Sequence, residues 1–274
     1  MSSTFELTIR PRKGWQAIDF KEAYVYHELL AFLIWRDVKI RYRQTLLGGA
    51  WAVLQPFIAM LIFSFIFNRL AHVQSDGPPY KLFAYAGLAP WTFFSTSVTQ
   101  SSNSLLTNQQ LVSKVYFPRI FIPLGAVGAL LVDLFFSLCL FAVMMLYYRW
   151  PVTPALLWLP VFTVGAVLAA AGTGLTLSAL NVSFRDVKYV VPFMVQMGLF
   201  VTPVIYPAHY IPQRWQFLMG LNPMAGVVIG FRHALLGSPA SWGVMGLSLA
   251  VSAFLFVCGL LIFRRMENRF ADII

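Results

Sequence analysis

Between Arg43 and Ile274 the chain repeatedly runs for more than twenty residues without a charged side chain, and that pattern decides its solvent. A helix needs about 20 predominantly apolar residues to cross the hydrocarbon core of a bilayer. Lipid offers backbone amides no partner, so each spanning segment has to satisfy its own, as a helix does. Six uncharged windows are long enough: 44–68, 82–113, 120–148 (interrupted only by Asp133), 150–184, 189–213 and 233–263, while a seventh, 215–231, falls short. Charged residues make up 11% of the chain, against about 25% in soluble domains. The expectation is an all-α membrane protein with six transmembrane helices, at about 46–67, 82–107, 120–148, 152–181, 189–206 and 242–263.

The net charge of +10 could suggest nucleic acid, but its distribution follows membrane topology. With the amino terminus inside, residues 1–43, 108–119, 182–188 and the tail after 263 hold 15 of the 20 Lys and Arg residues. Arg69, Lys81, Arg149, Arg214 and Arg232 fall outside. That is the positive-inside bias; it places both termini in the cytoplasm and predicts no nucleic-acid partner. The first 30 residues carry scattered charges and no apolar core with a small-residue cleavage site, so insertion through the first helix is expected. The chain divides into a cytoplasmic arm with an interfacial helix, 1–43, and a transmembrane domain, 44–274.

Within the first part, residues 1–18 read as a polar, basic arm, and Asp19 with Glu22 caps a helix from Phe20 to Arg43. Its apolar stretch, Leu29 to Trp35, is too short to span and is followed by Arg36, Lys39, Arg41 and Arg43. A helix lying in the cytoplasmic interface fits this amphipathic pattern; a solvated helix is the alternative. In the second window, thirteen of the sixteen residues from Ser95 to Gln110 are Ser, Thr, Asn or Gln. Such a face meets either other helices or an aqueous path. Asp133 is the one acid inside a window and, with no cation at matching depth in the sequence, reads as a structural hydrogen-bonding group or a proton carrier. The fourth window carries Gly165, Ala169, Ala170, Ala171, Gly172 and Gly174, small residues that let helix backbones approach closely. Pro203, Pro207 and Pro212 break the chain after the fifth window. The apolar stretch at about 214–232, interrupted at Asn222-Pro223, fits re-entrant half-helices between helices 5 and 6. Cys139 and Cys258 lie in apolar windows as buried thiols.

The chain lacks a GxxxxGK[ST] loop, HExxH, GxSxG and any Cys–His cluster, so it is not expected to be an enzyme or to hold a metal or cofactor. Aromatic residues are abundant, with 25 Phe, 11 Tyr and 8 Trp. Many Trp and Tyr lie near window ends, as an interfacial belt would. Others sit where their faces could stack on sugar rings.

Five blocks carry a resemblance. Trp35-Arg36-Asp37-Val38-Lys39-Ile40-Arg41-Tyr42-Arg43 is followed by Leu47-Gly48, Trp51 and Pro56. Lys114-Val115-Tyr116-Phe117-Pro118-Arg119 and Asn181-Val182-Ser183-Phe184-Arg185-Asp186-Val187 come next, then Pro203-Val204-Ile205-Tyr206-Pro207 and Leu221-Asn222-Pro223-Met224. In this order they resemble the type-2 ABC transporter permeases that export polysaccharides, in particular the branch carrying O-antigen, capsule or teichoic-acid chains.

The resemblance implies a homodimeric membrane subunit of the bacterial cytoplasmic (inner) membrane, served by two separate ATP-binding cassette ATPases that hold ATP and Mg, and moving lipid-linked polysaccharide. It implies ATPase coupling through the interfacial helix and through Gln109, Gln110, Lys114, Tyr116 and Arg119. Arg185 and Asp186 read either as a further coupling element or as a charged helix stop. Asn222 and Pro223 would form an outer gate, Arg41 and Arg43 would attract the lipid diphosphate, and Trp51, Tyr85, Trp91 and Tyr206 would line the substrate path. The alternatives are a different amphipathic cargo on the same fold, a proton-coupled secondary transporter using Asp133, and a membrane-embedded enzyme.

Overall fold

The computed structural model describes residues 26–43, 50–70, 77–114, 117–184, 186–267 and 270. Among the described residues every regular element is a helix. Helix α1 (His27–Arg43) precedes α2 (Ala50–Phe63), which continues as a π-helical stretch, Ser64–Leu70. Helix α3 (Tyr80–Thr107) and the short α4 (Gln109–Lys114) follow, then α5 (Phe121–Tyr148). A 3₁₀ turn, Pro154–Trp158, leads into α6 (Leu159–Ser183), and α7 covers Val187–Val201. After two 3₁₀ turns come α8 (Gln216–Gly220), α9 (Pro223–Leu236) and α10 (Trp242–Glu267).

Among the described residues four stretches are both long and apolar enough to cross a membrane: Ala50–Phe67, Phe121–Tyr148, Pro154–Ser183 and Trp242–Glu267. Helix α3 has 28 residues, but its second half is polar. Helix α7 has 15 residues, about 22 Å at 1.5 Å per residue. It ends at Val201 rather than near 206 because Pro203 pushes Thr202 to an extended ψ of 138°. The stretch expected at 214–232 forms two helices, α8 and α9, separated at Asn222-Pro223, and α9 runs on to Leu236.

Helix α3 is the hub and packs against α5, α6 and α9. Its first part, Leu82 to Trp91, is buried on every side, as an all-round apolar helix requires. Small residues set the α6–α10 contact. A side chain on Gly172 would meet the backbone of Leu255 and Phe256, and one on Gly259 would meet the Gly172 backbone. The two helices touch main chain to main chain, as the small-residue pattern predicts. Helix α1 lies on α5 in a similar way. Leu33 and Ile34 sit over Gly125 and Gly128, leaving Phe32 and Trp35 exposed away from that contact. Of the two thiols expected to be buried, Cys139 is exposed and Cys258 half-buried, because each faces outward from its helix.

The arm with Asp19 and Glu22, the Leu47-Gly48 pair, Asp76, Val115, Tyr116 and Arg185 lie outside the described residues.

Candidate functional site

A cavity of about 850 Å³ opens between α1, α2, α3 and α5. Its longest wall is one face of α3. Thr92, Thr96, Thr99, Asn103 and Thr107 recur every three or four residues and all line it, joined by Gln100 and Asn108. The adjoining face of the same helix is buried. There Ser101 Oγ donates to the Pro123 carbonyl at 3.3 Å, and Asn181 Nδ2 donates to the Ser102 carbonyl at 2.8 Å. The polar run from Ser95 to Gln110 therefore serves both purposes left open by the sequence, divided by helical phase. The threonines also bond within their own helix: Thr99 Oγ1 donates to the Ser95 carbonyl at 2.8 Å and Thr107 Oγ1 to that of Asn103 at 3.0 Å. This lowers the cost of a polar face away from bulk water and leaves acceptor lone pairs for whatever fills the cavity.

The opposite wall carries charge. Arg41 Nη2 lies 3.0 Å from Asp133 Oδ2, and the Tyr42 hydroxyl donates to Asp133 Oδ1. This corrects the expectation that Asp133 has no cation at its depth. The partner is 92 positions earlier in the chain, and docking of α1 on α5 brings it there. With a cation in contact, Asp133 loses its standing as an isolated proton carrier. Burial, and then the bond to Asp133, hold the Tyr42 phenol far above its ordinary range, so it stays a donor. Arg36 and Asp37 form a second pair at 2.8 Å on the same wall.

A second polar cluster left little trace in the sequence. Arg232, counted above among outer cations, is 3% exposed. Its guanidinium donates to the carbonyls of Pro203 (2.7 Å), Val204 (2.5 Å), Phe83 (3.3 Å) and Tyr206 (3.4 Å), and its centre lies 3.6 Å from the Phe83 ring centroid. Tyr80 Oη adds a 2.7 Å bond to the Ile205 carbonyl. Gly87 makes room for the guanidinium, because a Cβ there would stand 2.8 Å from Arg232 Nη2. The loop 203–207 is thus fastened to α3 and α9 through its own carbonyls. The one sequence signal was a lone Arg in an otherwise apolar stretch.

Residues 28–236 match the ABC-2 type transporter family. The chain belongs to that family. It is 32% identical over 260 residues to an O-antigen export system permease protein, RfbA, of Myxococcus xanthus, covering 92% of this chain and 97% of the relative. The RfbA permease of Klebsiella pneumoniae is 30% identical over 250 residues, 90% and 95% of the two chains. The polysialic acid transport protein KpsM of Escherichia coli is 27% identical over 243 residues, 86% and 92%.

Within this ABC-2 chain the residues singled out from sequence separate into groups. Trp51 and Arg41 line the cavity, whereas Arg43 is exposed outside its lining. Tyr85 is fully buried against Phe141, and Trp91 is packed beside Phe94 and over Gly198. Tyr206 belongs to the fastened loop, and its hydroxyl donates to the Phe200 carbonyl at 3.1 Å. Gln109, Gln110, Lys114 and Asp186 are exposed. Arg119 is tied down, its Nη1 donating to the Glu267 carbonyl at 2.8 Å and its backbone N–H to Glu267 Oε1 at 3.0 Å. Asn222 caps α9 by accepting from the Met224 N–H at 3.0 Å, and its Nδ2 donates to Thr202 Oγ1 at 2.9 Å. Pro223 supplies the first position of α9, where its missing N–H costs nothing.

Proposed function

We propose that this chain is the membrane-spanning permease subunit of an ATP-driven exporter moving lipid-linked polysaccharide, O-antigen foremost, across the bacterial cytoplasmic membrane. The observation that carries the reading is the cavity wall of hydroxyl and amide side chains on α3, facing two arginines, in a member of the ABC-2 family. Glycans present hydroxyl groups along their whole length, and a repeated hydroxyl and amide ladder matches them without selecting one sugar. The arginines suit the phosphates of a lipid carrier. The names of the relatives, O-antigen export and polysialic acid transport, support the cargo class.

In this reading the six crossings are α2, α3, α5, α6, α7 and α10. Helix α3 tolerates its polar half because protein and cavity, rather than lipid, surround it. Helix α1 lies in the cytoplasmic interface with Phe32 and Trp35 toward acyl chains. Helices α8 and α9 re-enter from the outer side; α9 is buried along nearly its whole length against α3, α6 and α10, as a re-entrant backbone at membrane depth requires. Both termini are cytoplasmic. Two copies enclose the conduit with their first, second and fifth crossings, and the apolar side chains exposed on α2 and α7, among them Ile62, Phe65, Phe193 and Met197, suit a second copy or lipid. Two ATPase subunits bind at α1 and at the exposed α4 with Gln109, Gln110 and Lys114. ATP binding closes them, and the motion reaches the conduit through these elements.

The test is genetic and direct. Inactivating the phosphate-loop lysine of the partner ATPase should leave polymer on the inner face of the membrane and strip it from the cell surface. Undiminished surface polymer would overturn the reading.

A further inference from the structure

The Arg41–Asp133 pair has a geometry that a plain structural ion pair does not need. The side chain of Arg41 is 30% exposed and that of Asp133 12%, so the guanidinium keeps an open side toward the cavity while the carboxylate is enclosed. The carboxylate is also held twice, by Arg41 on Oδ2 and by the Tyr42 hydroxyl on Oδ1. If Arg41 turns away, Asp133 keeps one donor. The charged residues lining the cavity are two cations and two anions, Arg36 with Asp37 and Arg41 with Asp133. A lining balanced in this way has little net pull on a passing anion. An anion binds there by exchange, taking the place of a carboxylate already seated.

We propose that Asp133 is an internal stand-in for the phosphate of the cargo: it occupies Arg41 until a phosphate-bearing head group displaces it, and so sets which anions the cavity accepts. The proposal rests on the permease reading above for the identity of the head group as a lipid-borne diphosphate. Carboxylate and phosphate offer a guanidinium the same paired acceptors, and phosphate offers more charge and a third oxygen. A diphosphate wins the exchange. The singly charged phosphates of bulk phospholipids do not, and the lipids surrounding the protein are thereby kept off Arg41. Tyr42 lowers the cost of release by retaining the freed carboxylate.

The experiment measures binding of radiolabelled polyprenyl diphosphate, phosphatidylglycerol and inorganic pyrophosphate to the full chain in nanodiscs with its ATPase partner. Asp133→Asn should bind polyprenyl diphosphate about tenfold more tightly than wild type, the worth of one charged hydrogen bond no longer broken, and should begin to retain phosphatidylglycerol. Arg41→Gln should lose the binding, and adding Asp133→Asn to Arg41→Gln should restore nothing. Tyr42→Phe, a milder change, should weaken binding, since the carboxylate then has only Arg41. Unchanged or weaker binding of both polyprenyl diphosphate and inorganic pyrophosphate in Asp133→Asn, or an equal gain with and without Arg41, would overturn the exchange. So would Tyr42→Phe binding as wild type, which keeps the test decisive should Asp133→Asn fail to assemble. Surface polymer made normally by a strain whose permease lacks the Asp133 effect would overturn the exchange and leave the permease reading standing. Inorganic pyrophosphate binding with the full Asp133 dependence, where the lipid shows none, would support the exchange and overturn the lipid-borne source.

Discussion

Replacing Arg232 by Met keeps the bulk of the side chain and removes every donor. The carbonyls of Pro203 and Val204, now bonded at 2.7 and 2.5 Å, would be left in a buried setting, Val204 being 0% exposed. A buried acceptor deprived of its partner costs about 1–3 kcal/mol. Two of them make local opening of the 202–206 loop easier by about 3 kcal/mol, a factor on the order of 100 in the opening equilibrium. The loop need not detach entirely, because the Tyr80–Ile205 and Asn222–Thr202 bonds remain. The assay is amide hydrogen exchange on the protein in nanodiscs, read on peptides covering 198–206, where the Thr202 N–H bonds the Gly198 carbonyl at 2.9 Å. Exchange there should accelerate strongly while α6 and α10 keep wild-type protection. Arg232→Lys should fall between, since one ammonium cannot reach carbonyls spread around a planar fork. Wild-type exchange at 198–206 in Arg232→Met, with the mutant folded, would refute the idea that this guanidinium holds the loop.

Gly87→Ala should reproduce part of that effect, because its Cβ would stand 2.8 Å from Arg232 Nη2 and 2.9 Å from the Val204 carbonyl; the same exchange measurement reads it. Gly172→Val presses on the Leu255–Phe256 backbone, which cannot rotate aside, and should destabilise the α6–α10 pair by about 1–3 kcal/mol or more. Gly246→Ala, with nothing within 4 Å of the added carbon, should melt as wild type in a thermal scan that shows the lowered midpoint of Gly172→Val. Asn222→Ala removes the cap of α9 and should cost about 1 kcal/mol, seen as faster exchange over the first turn of α9. Thr99→Leu with Asn103→Leu should cut surface polymer in cells while assembly with the ATPase, followed by co-purification, is retained.

Much of the helical segmentation was legible before any coordinates. The uncharged windows at 120–148 and 150–184 end within a residue of the ends of α5 and α6, since a charge at a helix terminus marks the edge of the apolar phase, while α10 carries Arg264 and Arg265 in its last turn and runs past its window to Glu267. The break at Asn222-Pro223 was readable because Asn is a strong cap and Pro a natural first residue. The Gly and Ala of α6 announced a close helix contact, and Gly172 makes one. The surroundings of the aromatic side chains were less legible. Tyr85 and Trp91 look like candidates for a sugar path, yet Tyr85 is fully buried and Trp91 is 7% exposed. A helix apolar on every side gives no phase to say which ring points where.

The amino-acid order alone determined the solvent, the helical class and the places where polar chemistry had to be accommodated. It could do so because, in lipid, the hydrogen-bond needs of the backbone are met within each segment and read directly from local composition. Which polar groups meet was decided only by tertiary structure. Arg41 reaches Asp133 because α1 is laid on α5 at one depth and rotation, and Arg232 finds three carbonyls because a proline-broken loop folds over α9, and a fourth, that of Phe83, because α3 packs beside it. Those partners are set by how helices are turned and raised against one another, a property of the packed bundle that no single segment carries.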